Sequence, residues 1–243
     1  MKTITFLAIT LISGAIAGTI LGVINQGIVE PYIERAIALE NENAAKEGGE
    51  MIDPIQFNNY RIWQKGGEIF AGTVYGTSLA ALFGVVYAYA RGSLPGATNN
   101  NVRKALILAV IMWFVLFVVP ALKYPGNPPA VGNPDTLLVR QTMYIAFLAL
   151  SGFSALVLAY LYRKLGKNQS KKIIIPLTYA GIMIAAYIAM PPNPDPINAP
   201  MDLVIGFRIV SGLTVSMFWG IMAVIFGSFW NKFKPHETAK ITI

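Results

Sequence analysis

The 243-residue sequence contains no cysteine and a single histidine, and only 13% of its side chains are charged. Without cysteine there is no disulfide framework, no thiolate nucleophile, no Cys-ligated iron–sulfur cluster and no Cys zinc site. One histidine leaves no imidazole cluster for a metal. A Ser-His-Asp arrangement would have to use His236, which stands in a charged tail beside Lys234 and Glu237 and reads as a solvated residue. No Walker motif is present, so direct ATP coupling by this chain is not expected. With neither a nucleophile and base nor a metal set, no enzyme activity is expected.

Charge is scarce where a soluble domain would carry about 25% charged residues. Hydrophobic residues make up 55% of the chain and the mean hydropathy is +0.54. This composition belongs to an integral membrane protein, with no residues left over for a nucleic-acid-binding or nucleotide-binding domain. Runs free of Asp, Glu, Lys and Arg extend over 3–29, 69–90, 105–122, 141–162, 173–190 and 209–231. At 1.5 Å rise per residue each approaches or exceeds the ~30 Å of a hydrocarbon core. The expected architecture is all-α: one membrane domain over 1–243, with six transmembrane helices at about 3–29, 69–90, 105–122, 138–162, 173–190 and 203–230. An outer acidic loop, 30–68, and two Pro-rich outer loops, 123–137 and 191–202, would join them. Lys2 and the Ala15-Ile16-Ala17 triplet imitate a cleavable signal. The apolar run continues to Val29, well past a signal h-region, and predicts a retained helix.

Basic residues orient the bundle. With the amino terminus cytoplasmic, 12 of the 19 Lys and Arg fall inside and 5 outside, leaving Arg140 and Arg208 near helix starts. This bias predicts that both termini are cytoplasmic. Tyr87, Tyr89, Tyr160, Tyr162 and Trp230 are expected at the inner interface, and Trp63 and Tyr124 at the outer one.

Small residues recur every four positions in the first two spans: Gly14, Gly18 and Gly22, then Gly72, Gly76, Ala80 and Gly84. Such spacing lays a shallow groove along one helix face and predicts a close pairing of these spans. Prolines concentrate on the outer side, 12 of 15, which should stiffen the outer loops. The run Asn133-Pro134-Asp135 leads to Arg140, and Pro200-Met201-Asp202 leads to Arg208. Each reads as a helix start capped by its aspartate, with an arginine one to two turns into the bilayer.

An arginine at that depth needs an anion. Asp202 lies about 240° round the helix from Arg208, so Glu30, Glu34 and Glu68 are the available carboxylates. The expectation is a shared outer-rim network of Arg140 and Arg208 with at least one of them. It could fix helix register, or recognise a bound or permeating species. The segment Glu30 to Lys65 opposes seven acids to four bases, and should contain a short surface helix around Ile33 to Glu40. A solvated loop and a cation-attracting one would share that composition.

Glu30-Pro31 with Glu34 and Ala36-Ile37-Ala38-Leu39-Glu40 is followed by the run Lys123-Tyr124-Pro125-Gly126-Asn127-Pro128-Pro129-Ala130-Val131-Gly132-Asn133-Pro134-Asp135 with Arg140 and Tyr144. Pro191-Pro192 ahead of Phe207-Arg208 completes a series that resembles the CbtA family of predicted cobalt transporter subunits. The resemblance implies a polytopic subunit for cobalt uptake toward cobalamin synthesis. It also implies a small single-span partner, CbtB, with metal-handling terminal histidines.

Co²⁺ favours imidazole and mixed nitrogen and oxygen ligands, whereas this chain offers carboxylates, Asn127, Asn133, loop carbonyls and thioethers such as Met143 and Met201. No cofactor and no resident metal site are expected; Co²⁺ would be cargo. The alternative is a non-transporting structural or accessory subunit of a larger membrane complex. The inner halves of all six expected spans lack acidic residues, which counts against a cation path within this chain alone.

Overall fold

The computed structural model describes residues 2–46, 48, 53–96, 100–129, 131–164 and 171–236. The described residues are helical, without strands: α1 (Thr3–Ile28), α2 (Glu30–Lys46), α3 (Pro54–Ala90), α4 (Asn101–Trp113), a π-turn (Phe114–Val118), α5 (Val119–Lys123), a 3₁₀ turn (Pro134–Thr136), α6 (Leu137–Lys164), α7 (Lys171–Ala189) and α8 (Met201–Phe233). The connection 166–170, the tail from residue 237, and Glu47 and Glu50 of the acidic segment lie outside the described residues.

Five stretches are long and apolar enough to cross a membrane: Thr3–Ile28, Ile55–Ala90, Asn101–Lys123, Pro134–Lys164 and Met201–Phe233. The expected fifth span, in α7, is shorter, with its apolar part confined to Ile173–Ala189. Pro191 and Pro192 explain the early stop, since a residue before proline is pushed out of the α region.

The segment 30–68 is not chiefly a loop. α2 takes up Glu30–Lys46, and α3 begins at Pro54 and runs for 37 residues. Asp53 caps α3, its side chain accepting from the Ile55 N–H at 2.9 Å, and proline stands in the first turn, where no intrahelical N–H is needed. Arg61, Lys65 and Glu68 end the charge-free run but do not break the helix, because arginine, lysine and glutamate are good helix formers.

The chain divides into two compact units. The first comprises Met1–Ile111, Pro128–Ala130 and Met201–Ile243; the second comprises Met112–Asn127 and Val131–Pro200.

In the first unit, α1 packs antiparallel on α3 along the small-residue groove. A Cβ on Gly14 would strike Gly76 and Ala80, one on Gly18 would strike Gly72, and one on Gly22 would lie 2.7 Å from Ile69 Cα. Each step of four along α1 meets a step of four back along α3, so one register serves the whole interface. The Thr19 and Thr73 hydroxyls bond at 2.8 Å within it. Lipid tails are as apolar as the side chains, so close backbone contact and such bonds, rather than the hydrophobic effect, hold the pair.

α8 covers the other side with aromatic rings. Phe83, Tyr87, Phe226 and Trp230 are fully buried and meet edge-on, stacked or, for Phe226 and Trp230, tilted, with centroids 4.9 to 6.1 Å apart. Such pairs contribute about 0.5–1.5 kcal/mol each beyond area burial. Tyr87 and Trp230 are therefore core residues rather than the interface anchors expected of them. The Tyr87 hydroxyl donates to Asn101 Oδ1 at 2.8 Å, and Asn101 Nδ2 donates to Asn231 Oδ1 at 2.7 Å, tying α3, α4 and α8 together. His236 is also not simply solvated: it stacks on Trp230 and accepts from its Nε1 at 3.1 Å.

In the second unit, Val119, Tyr124, Phe147, Met183 and Ala186 form a core among α5, α6 and α7. Tyr124, expected at the interface, is buried here with its ring edge-on to Phe147.

Candidate functional site

The carboxylates singled out in the sequence gather at one end of the first unit. Glu30 opens α2, where free backbone N–H groups and the helix dipole favour a negative charge. It pairs with Arg61 of α3, and both side chains are nearly buried, 7% and 12% exposed. Arg61 is steadied by its second nitrogen, which donates to Gln64 Oε1 at 2.6 Å. Lys65, one turn on, reaches Glu34 at 2.6 Å and Glu30 at 3.6 Å. Its hydrogen bond to Glu34, aided by the positive charges of Lys65 itself and Arg61, holds the Glu34 carboxyl below the ordinary range. Gln26 Nε2 of α1 donates to the Lys65 carbonyl at 2.5 Å, and Asn25 hydrogen-bonds to Glu68. Three carboxylates thus share a small region with Arg61 and Lys65, linking α1, α2 and α3.

α2 is anchored at a second place. Arg35 pairs with Asp202 in the first turn of α8 at 2.9 Å, both largely exposed, and the Tyr32 ring occupies the space that a side chain at position 206 would need. Asp202 is therefore the partner of a cation on another helix. Arg208 lies half-buried on α8, two residues beyond Gly206.

The second unit holds the other set. Arg140 of α6 pairs through Nε with Asp195 at 3.1 Å and donates from Nη2 to the Asn133 carbonyl at 3.0 Å. Asp195 also accepts from the Thr136 hydroxyl at 2.7 Å and the Asn133 N–H at 2.9 Å. These bonds, with the Arg140 charge, depress its carboxyl below the usual aspartate range, the Thr136 bond contributing most. Gly132 has φ +113°, and a Cβ there would lie 2.7 Å from Arg140 Nη1 and 2.9 Å from Asp195, so only glycine fits. Asn133 caps the following turn by accepting from the Asp135 N–H at 2.9 Å, which corrects the expectation that Asp135 would be the cap.

Nearby, Lys123 Nζ donates to the Tyr187 carbonyl at 2.7 Å, in the last turn of α7, where carbonyls lack backbone donors. It also lies 4.5 Å above the Tyr187 ring. The Tyr124 hydroxyl donates to the Pro191 carbonyl at 2.7 Å. Asn127 is half-buried in the loop after α5. The hydrogen bonds of loop 123–137 thus run to α6, α7 and the connection after α7.

The expected members of the network whose partners are seen have local ones, each within its own unit. Arg140 takes Asp195, in a different unit from Glu30, Glu34 and Glu68, and the partners of Glu30 and Glu34 are Arg61 and Lys65. Asp195 was missed, although it is the one charged residue between Pro191 and Pro200. Arg61 and Lys65 do not stand out as partners in a segment whose composition reads as a loop; on a helix their spacing of four puts them on one face. Among the described residues, no group of three or more His, Cys, Asp or Glu is arranged to hold a metal ion. Glu30 and Glu34 are committed to Arg61 and Lys65, and Glu68 bonds to Asn25.

A family model described as probable cobalt transporter subunit (CbtA) matches residues 3–231, nearly the whole chain. No match was found among curated proteins or solved structures.

Proposed function

From the chain's membership of the CbtA family of probable cobalt transporter subunits, we propose that it is the multi-pass subunit of an uptake system for cobalt or a related divalent cation and works with a small single-span, histidine-bearing partner. The observation that carries this reading is the family match, supported by five helices suited to crossing a membrane. The chain has one histidine and no cysteine, so nitrogen ligands for Co²⁺ would come from the partner. We place both termini in the cytoplasm and count α7 as a sixth crossing, on the distribution of Lys and Arg. In that orientation the Glu30 and Asp195 networks both lie on the outer side. There, Glu30, Glu34, Glu68, Asp202 and Arg208 would shape the outer end of the first unit, and Lys123, Tyr124, Asn127, Asp135 and Arg140 separately that of the second, for the ion or the partner. Uptake of Co²⁺ by proteoliposomes containing this chain, with and without the small partner, tests the proposal. Uptake that needs both chains supports it; the absence of uptake with both would refute it and favour an accessory role in a larger complex.

A further inference from the structure

The backbone of the second unit carries one irregularity well away from the outer loops. After α4 the helix widens into the π-turn Phe114–Val118, directly before Pro120. Pro120 cannot donate to a carbonyl in the preceding turn, and its ring would press on that turn in a regular helix; widening relieves the clash. The Val119 N–H bonds to the Phe114 carbonyl, five residues back. Val115 thereby loses the donor four residues ahead, and the donor five ahead would be Pro120, which has no N–H. Its carbonyl is instead met by Ser151 Oγ of α6 at 2.6 Å. The Ser151 hydroxyl is also 2.7 Å from the Tyr179 hydroxyl of α7.

Three oxygens from three helices therefore converge, and Ser151 is completely buried. Depth makes this unusual. Ser151 is about 16 Å along α6 from Arg140 and about 20 Å from Lys164, and Val115 is about 12 Å from Lys123, by helical rise. This is the middle of the span, where polar groups are expensive and mark pathways more often than they serve packing. The oxygens do not stand alone. Tyr144 and Tyr179 pack against the core that contains Tyr124, whose hydroxyl bonds at the Pro191 end of the unit.

We propose that Val115 O, Ser151 Oγ and Tyr179 Oη form a mid-membrane site that coordinates the divalent cation in transit while it keeps part of its water shell. The inference rests on the transport reading. Rotation of the Ser151 hydroxyl proton away from Val115 would free that carbonyl, which has no backbone donor, and a Ser151 lone pair beside the Tyr179 oxygen. Neutral oxygens bind a cation weakly, which suits a site that must release it.

The full chain, labelled with 3-fluorotyrosine in lipid nanodiscs, tests the site by ¹⁹F NMR, the Tyr179 signal being assigned by its loss in Tyr179→Phe. Co²⁺ should shift or broaden that signal and Mg²⁺ should not shift it paramagnetically. Ser151→Ala should raise the Co²⁺ concentration needed by about tenfold, as expected for losing one oxygen that bonds to a charged species. In proteoliposomes with the partner, Ser151→Ala and Tyr179→Phe should slow Co²⁺ uptake while the thermal unfolding temperature of Tyr179→Phe stays at the wild-type value. A Tyr179 signal indifferent to Co²⁺, whether or not uptake occurs, overturns the site. A signal that responds in a protein without uptake supports the site and removes the transport reading instead.

Discussion

Gly18 and Gly72 approach so closely that a Cβ on Gly18 would strike the Gly72 carbonyl, and one on Gly72 would lie 2.7 Å from the Gly18 carbonyl. The α1–α3 pair has no room for a side chain at its centre. Gly18→Leu should therefore separate the helices and destabilise the first unit by about 1–3 kcal/mol or more, the range for overpacking. Gly27→Ala, inside α1 with nothing within 4 Å of the new Cβ, should instead raise stability by about 0.4–1 kcal/mol. Thermal unfolding of both variants in detergent checks the contrast.

Glu30 and Arg61 form the most buried ion pair among the described residues. Glu30→Gln leaves a cation in a poorly solvated place and should cost on the order of 3 kcal/mol. The double variant Glu30→Gln with Arg61→Met should recover much of that loss. A double-mutant cycle on unfolding free energy measures the coupling; additive effects would contradict the pairing.

Asp195 joins three elements of the second unit through Thr136, Asn133 and Arg140. Its carboxyl is depressed below the reference value of 3.8, so its contribution to stability is complete above that pH and is lost as pH falls through the lower folded value. Glu34 acts with the same sign, from its own reference of 4.5. Unfolding temperature should fall on acidification below about pH 4.5, and the fall should be shallower in Asp195→Asn, which should already be less stable at neutral pH.

The cysteine-free chain lends itself to a topology test. A single cysteine in place of Asn127 should react with an impermeant maleimide from outside the cell, and one in place of Ser93 only after permeabilisation. The reverse pattern would invert the proposed orientation.

The membrane character, the places of the long helices and the α1–α3 register were legible in the sequence. Each depends on composition or on a period within one segment, and Gly14, Gly18 and Gly22 state their face by spacing alone. The start of α3 is also legible there, in Asp53-Pro54, but charge at Arg61, Lys65 and Glu68 imitates a helix end when it marks only where a helix meets polar surroundings.

Ion partners were decided by tertiary structure. Arg140 chose Asp195, 55 residues away, and Glu30 chose Arg61, because attraction acts through space and depends on the rotation and depth of each helix, which no local pattern records. For the same reason Tyr87 and Trp230, amphipathic residues that suit an interface by type, became core once α8 was laid on α3. Pro120 could be read from the sequence as a disturbance of its helix. That the disturbance became a π-turn, and that Ser151 and Tyr179 came to meet the Val115 carbonyl, followed only from how α6 and α7 pack beside it.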